Sequence, residues 1–286
     1  MLPLPKTRSV LNILSPKPPL RKTIKIGNVN WSYLDSEIGD EIWLGFHGFG
    51  QEAEVVEHFL KTLRPNARIL SFDLPLHGKT LIENGGFIKT QELTALFNQV
   101  LAATNEKSCS VLGFSLGGKV ALKMTELIPE KIDRLVLIAP DGLKVNPFYW
   151  FATNTLAGRS LFQLLIRFPH PFLGMSKLLA STRVMNPKID EFARSQMGTR
   201  KKRQKVYNTW QIFKQTTPSL NDVRAKILQH KIKTTLIFGT RDRVIHPKLA
   251  KKLSGENGKT SEVIMIEAGH HLLTKEVALQ TRDSIK

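Results

Sequence analysis

The sequence predicts an α/β fold in which a mostly parallel sheet carries helices on both faces and a helical cap is inserted between two core strands. Three observations predict it. Short apolar runs recur along the chain, each stopped by a small or polar cluster; segments with apolar residues at helical spacing separate them; and between residues 143 and 230 that rhythm ceases. Strands buried on both faces read as continuous apolar runs, and parallel strands need helical crossovers, so the first two observations belong together.

Residues 23–27 and 30–34 read as a hairpin of edge strands turning at Gly27 and Asn28. Residues 41–46 form a short apolar run that ends at His47, Gly48, Phe49 and Gly50. Residues 52–63 carry Val55, Val56, Phe59, Leu60 and Leu63, which is helical spacing. A second strand is expected over 68–72, stopping at Asp73, and an amphipathic helix over 91–103 leads to the strand that contains Val111 and Leu112. A helix over 119–128 follows, then strands over 134–139, 234–238 and 262–266, and a closing helix over 275–285. Ligands of such sheets sit beyond the carboxyl ends of the strands.

The stretch from 143 to 230 has no buried strand and reads as helices over 161–168, 172–180, 189–197 and 199–215. A helical insertion this long between two core strands is read as a cap. The organisation expected is therefore an N-terminal arm at 1–22, a core at 23–142 and 231–286, and a cap at 143–230. The arm is rich in proline and scattered basic residues and has no continuous apolar segment, so it does not read as a signal peptide.

Composition narrows the class. The chain has 286 residues, enough for one large domain with an insertion, and its single cysteine, Cys109, excludes an internal disulfide and reads as a buried core residue. No run approaches the length of a membrane span, and a cytoplasmic protein is expected. The net charge of +18 is unusual, and two thirds of it falls in the cap segment, which holds 15 Lys or Arg against 3 Asp or Glu. Charge of this kind speaks to partners and association, not to fold. Arg200, Lys201, Lys202, Arg203 and Lys205 read as a solvated helix face that could attract an anionic membrane surface or an anionic substrate. A nucleic-acid role has a basic patch but no recognisable binding fold behind it, and none is expected. The cap aromatics, among them Phe148, Tyr149, Trp150, Phe162, Tyr207 and Trp210, read as packing, with an acyl-pocket wall as the other reading.

The stretch that organises the chain is Gly113, Phe114, Ser115, Leu116, Gly117 and Gly118. A strand, then Gly-x-Ser-x-Gly, then a helix is the context of a nucleophile elbow. A serine hydroxyl is a poor nucleophile unless it is held in the open beside a base, and small residues two positions either side let strand and helix pass closely. The pentapeptide alone would arise by chance in about one chain in ten of this length, so the argument depends on what accompanies it.

What accompanies it is a set of loops that each follow an expected strand. Across roughly residues 22–286 the chain resembles the α/β-hydrolase family, through HGFG at 47–50, DLPLHGKT at 73–80, GFSLGG at 113–118, GTRDRVI at 239–245 and AGHHLL at 268–273. The resemblance implies an α/β-hydrolase fold with Ser115 as nucleophile, Asp242 as the acid that orients the base, and His270 as the general base. His271 is the neighbouring alternative base, and Asp141, after another core strand, the alternative acid. The resemblance places the oxyanion donors at the backbone N–H groups of Phe49 and Leu116, and gives His47, Asp73 and His77 structural work in their loops.

A serine at position 115 disfavours the dehalogenases and epoxide hydrolases of this fold, which use an aspartate there. The activity implied is a serine hydrolase, specifically a carboxylic-ester hydrolase forming an acyl-enzyme on a small-molecule acyl substrate, with no cofactor and no metal. Carbon–carbon bond hydrolases and lyases or synthases with the same triad, and a non-catalytic ligand-binding member of the fold, are the alternatives.

Overall fold

The structure, a computed structural model, describes residues 18–83, 86–169, 197–255 and 261–285. Nine strands form one sheet in the order β1-β2-β4-β3-β6-β7-β8-β9, with β5 paired to β2. The strands are β1 Leu20–Ile26, β2 Val29–Asp35, β3 Ile42–Phe46, β4 Arg68–Phe72, β5 Leu81–Ile82, β6 Cys109–Phe114, β7 Ile132–Ile138, β8 Lys233–Gly239 and β9 Glu262–Ile266. Pairing is antiparallel around β2 and parallel from β4 through β9.

Every residue of β3 and β6 is buried, as expected for central parallel strands covered on both faces, whereas β9 exposes Glu262 and Met265, the mark of an edge. Helix α1 (Ala53–Leu63) lies against β3 and β4 and meets the last helix, while α2 (Thr90–Thr104) and α3 (Leu116–Leu127) pack together against the sheet. Connections run from β3 to β4 on one side and onward through β6 to β9 on the other. That reversal of direction lies between β3 and β6, where a sheet of this kind places its ligand crevice, beyond the carboxyl ends of the strands. Cys109, the first residue of β6, is buried, and burial pushes its thiol pKa well up.

Several expectations shift. The hairpin forms as expected, but β1 begins at Leu20, so residues 20–22 belong to the core sheet and not to an arm; residues 1–17 of that arm lie outside the described residues. Helix α3 starts directly at Leu116 and not at residue 119. Between β7 and β8 the chain forms α4 (Pro147–Asn154), α5 (Leu156–Arg167), α6 (Arg200–Ile212) and α7 (Leu220–Gln229). Neither α4 nor α7 is among the helices expected from the sequence. The helix expected over 172–180 and all but the last residue of that over 189–197 lie outside the described residues.

Helix α7 corrects the boundary expected at residue 230. It packs on α3 and puts Val223 and Ile227 into the main core, which makes it a crossover helix of the sheet. Helices α4 to α6 build a separate apolar cluster from Ala152, Phe162, Ile166, Val206 and Tyr207, against which Phe49, Leu165, Met197 and Trp210 pack. The single turn α8 (Lys251–Ser254) and the closing α9 (Lys275–Thr281) complete the chain. The latter is shorter than the helix expected over 275–285.

One ion cluster ties the antiparallel edge to the parallel core. Asp35, almost fully buried, accepts from Arg68 Nε at 3.0 Å and Nη2 at 2.8 Å, from Lys22 Nζ at 2.9 Å and from the Glu37 N–H at 2.8 Å. Burial alone would raise its pKa, but the bonds from Arg68 and Lys22 outweigh it and hold the carboxyl at about 2. A depressed carboxyl stabilises the fold above its unfolded pKa, and the gain is lost as pH falls through the folded one. Asp35→Asn is therefore expected to cost on the order of 2 kcal/mol at neutral pH, with the difference from wild type shrinking between about pH 4 and pH 2. Urea unfolding at several pH values measures it.

Candidate active site

The crevice is floored by the turn between β6 and α3. Ser115 caps α3 with φ 49° and ψ −113°, a left-handed conformation that a serine adopts only when its surroundings impose it. They do so here: the Ser115 N–H donates to Ile138 O at 3.0 Å, and its carbonyl accepts from Gly118 at 2.9 Å and from Asp141 at 2.8 Å. The flanking glycines answer to space. A Cβ on Gly113 would stand 2.5 Å from Gly117 O, and one on Gly117 would stand 2.1 Å from Phe46 O, both backbone atoms that cannot retreat.

Two further loops bring side chains to this serine. Asp242 follows β8 and His270 follows β9, and the backbone joins the two loops through Thr240 N–H to Ile266 O at 2.8 Å and Arg241 N–H to Ala268 O at 3.0 Å. His270 Nδ1–H donates to Asp242 Oδ2 at 2.7 Å, and His270 Nε2 lies 3.1 Å from Ser115 Oγ. A carboxylate only accepts, so Asp242 places the ring proton on Nδ1 and leaves the Nε2 lone pair facing the serine hydroxyl, which donates to it. Asp242 is buried, and its other oxygen accepts from the N–H groups of Val244 at 2.8 Å and Ile245 at 3.0 Å, so the carboxylate cannot turn. The imidazole packs beside the Phe114 ring at a centroid distance of 5.2 Å.

The sequence alternatives fall elsewhere. His271 is exposed, and Asp141 accepts from its neighbour Gly142 N–H at 2.7 Å.

The loop after β3 forms the opposite wall. His47 is fully buried; Leu74 N–H donates to its Nε2 at 3.0 Å, so its Nδ1–H donates to Gly48 O at 2.7 Å. Burial lowers its pKa to about 4 and keeps it neutral near pH 7, which suits a tie between loops. Asp73 braces the same wall, accepting from Ala53 N–H at 2.8 Å, Lys79 N–H at 2.9 Å and Arg21 Nη1 at 2.6 Å, while Arg21 also pairs with Glu54. His77 donates through Nδ1–H to Pro75 O at 3.0 Å, and burial, with the charges of His47 and Lys205, holds its pKa at about 3. Gly48 N–H is taken by Gln51 Oε1 at 2.9 Å. Among the described residues neither Phe49 N–H nor Leu116 N–H, the first amide of α3, meets an acceptor. Two unspent donors flanking a nucleophile suit a developing oxyanion.

Helices α4 to α6 meet this wall through residues that carry no sequence signal. Lys119, on the first turn of α3, is buried, and its Nζ donates to Tyr149 Oη at 2.9 Å; Tyr149 in turn donates to Phe213 O at 3.2 Å. Burial lowers the lysine's pKa and raises the tyrosine's. The pair fastens the helix behind Ser115 to α4 and to the end of α6. Phe162 and Tyr207 are buried against each other at 5.2 Å, so these aromatics are packing. Arg203, expected on a solvated face, is buried instead and donates to Ile166 O through Nε and Nη2 and to Met197 O at 2.8 Å. Its guanidinium closes the carboxyl end of α5.

A parallel sheet with a strand–turn–helix serine, and a histidine and a carboxylate on its last two loops, defines an α/β-hydrolase. The chain belongs to the alpha/beta hydrolase fold family, whose model matches residues 44–276. It is 26% identical over 264 residues to the dihydrolipoyllysine-residue acetyltransferase component of the acetoin cleaving system of Pseudomonas putida, covering 90% of this chain and 65% of that protein. It is 36% identical over 93 residues to the pimeloyl-[acyl-carrier protein] methyl ester esterase of Pectobacterium carotovorum, 32% of this chain and 34% of the other, so it spans less than two thirds of either relative. Among solved structures it superposes on the thioesterase domain from the curacin biosynthetic pathway with a TM-score of 0.61 at 14% identity, over 94% of this chain and 99% of that one. A carboxylesterase of the thaumarchaeon Nitrososphaera gargenis gives 0.61 at 19% identity over 92% and 96%. At these identities the likeness is one of fold.

Proposed function

We propose that the protein is a serine hydrolase that cleaves carboxylic esters through an acyl-enzyme on Ser115. The observation that carries this reading is the continuous relay from Ser115 Oγ through His270 to Asp242, at 3.1 Å and 2.7 Å. As the serine oxygen attacks the acyl carbon, His270 Nε2 takes its proton and the carbonyl oxygen becomes an oxyanion, held by the N–H groups of Phe49 and Leu116. Asp242 supports the imidazolium that forms. The tetrahedral intermediate collapses, His270 returns the proton to the departing alcohol, and the acyl group stays on Ser115. Water then repeats the sequence, giving its proton to His270 and releasing the acid.

Helices α4 to α6, tied to the core through Lys119 and Tyr149, are placed in this reading as the cap over the crevice. The esterase named among the relatives is consistent with the reaction class.

Labelling with a fluorophosphonate probe tests the reading. One equivalent is expected on Ser115, with no labelling of Ser115→Ala. An unlabelled native protein would favour a ligand-binding member of the fold.

A further inference from the structure

The basic residues of α6 are not alike. Arg203 is buried and committed to backbone carbonyls. Arg200, Lys201 and Lys205 instead line a cavity of about 540 Å3 with Gln204, Asn208 and Leu76, the last from the loop that also carries His77. The lining holds three cations and no acid. Among the described residues none of these three cations has an ion-pair partner.

Lys205 is the least exposed of the three cations in this lining. Arg200 and Lys201 are exposed, but Lys205 is half-buried, with its Nζ 5.8 Å from the centroid of the Phe49 ring. Phe49 is also the residue whose backbone N–H is a candidate oxyanion donor, so the ring that Lys205 approaches belongs to the loop beside Ser115. Burial lowers the pKa of Lys205, and the charge of Glu52 opposes that shift. An ammonium stripped of part of its water, with Glu52 acting on it only from beyond ion-pair distance, is held at a cost, which a bound anion would relieve.

We propose that this cavity is a binding subsite for a carboxylate carried by the substrate away from its scissile ester, with Lys205 as the anchoring charge and Leu76 and the Phe49 ring as apolar walls for the intervening chain. The inference rests on the ester-hydrolase reading and names its substrate class: a half-ester of a dicarboxylic acid. One half-buried ammonium matches one negative charge, and Arg200 and Lys201 at the rim draw the anion inward.

The test uses matched pairs. Mono-4-nitrophenyl esters of the dicarboxylic acids from succinate to suberate are compared with the same esters methylated at the free carboxyl. In the wild type kcat/KM is expected to be at least about tenfold higher for the anionic member at the best chain length, mainly through KM. Lys205→Gln should bring that ratio close to one, and Lys205→Arg should restore most of it. The variant changes the total charge by one unit, so attraction by the basic protein as a whole survives in it, and a fall in the ratio locates the effect at this side chain. A ratio that is the same in wild type and Lys205→Gln overturns the subsite.

A binding arm needs no turnover. On Ser115→Ala protein, calorimetry should show the anionic ester binding at least about tenfold tighter than its methylated twin, and this preference should vanish when Lys205→Gln is added. Equal affinities overturn the subsite, whereas failure of the wild type to release nitrophenolate from either ester sinks the hydrolase reading and leaves the binding arm to decide.

Discussion

Ser115→Ala is expected to lower kcat for 4-nitrophenyl butyrate by roughly 10^4-fold or more, because nucleophile and base act as one unit and neither works alone. The fold should be unaffected. Alanine has the same Cβ as serine and meets the same constraint at φ 49°, and the backbone bonds to Ile138, Gly118 and Asp141 that hold this turn do not use the hydroxyl. Among the described residues only the 3.1 Å contact with His270 is removed. Steady-state kinetics with a matched thermal melt measure both halves of the prediction. A variant that keeps its melting temperature and more than a tenth of the activity would mean that acyl transfer does not pass through this oxygen.

The three groups of this relay were legible because each stands where sequence speaks clearly. A fully buried strand leaves an apolar run, and a tight turn leaves glycines, so β6 with Gly113 and Gly117, β8 with Gly239 and β9 with Gly269 each announced the loop that followed. The helix α1 announced itself through the spacing of Val56, Phe59, Leu60 and Leu63, all of which are buried.

What stayed hidden depended on partners distant in the chain. The apolar stripe of α7 says that the helix packs, but not that Val223 and Ile227 face the main core and not the cluster of α4 to α6. Arg203 sits in a run of basic residues and is indistinguishable there from its exposed neighbours, because its partners are backbone carbonyls of Ile166 and Met197. Lys119 likewise looks like an ordinary helix lysine until Tyr149 is brought over it. Helix α4 does carry a local signal: Asn146 accepts from Phe148 N–H at 2.9 Å as an N-cap, and Pro147 occupies the first helical position.

Asp242→Asn is the sharper probe of the relay, since it is nearly isosteric and its effect should come through a proton. The two carboxylate oxygens do separate work: one accepts from the N–H groups of Val244 and Ile245 at 2.8 Å and 3.0 Å, the other from His270 Nδ1–H at 2.7 Å. An asparagine must keep its only oxygen on the two backbone donors, because its NH2 cannot accept from them. The NH2 then faces His270 Nδ1 and donates to it, which moves the ring proton to Nε2. In that tautomer Nε2 presents a hydrogen to Ser115 Oγ where a lone pair is required, and the base is lost with every heavy atom in place. A fall in kcat of about 10^3- to 10^4-fold is expected, with the rate of fluorophosphonate labelling falling in parallel because both report the nucleophilicity of Ser115. Asp141→Asn supplies the contrast: among the described residues its Oδ1 accepts from Gly142 N–H alone, an interaction an amide oxygen reproduces, so turnover should stay within a few-fold of wild type. A large loss in Asp141→Asn with little loss in Asp242→Asn would remove Asp242 from its role and point to the loop after β7 as the source of the acid.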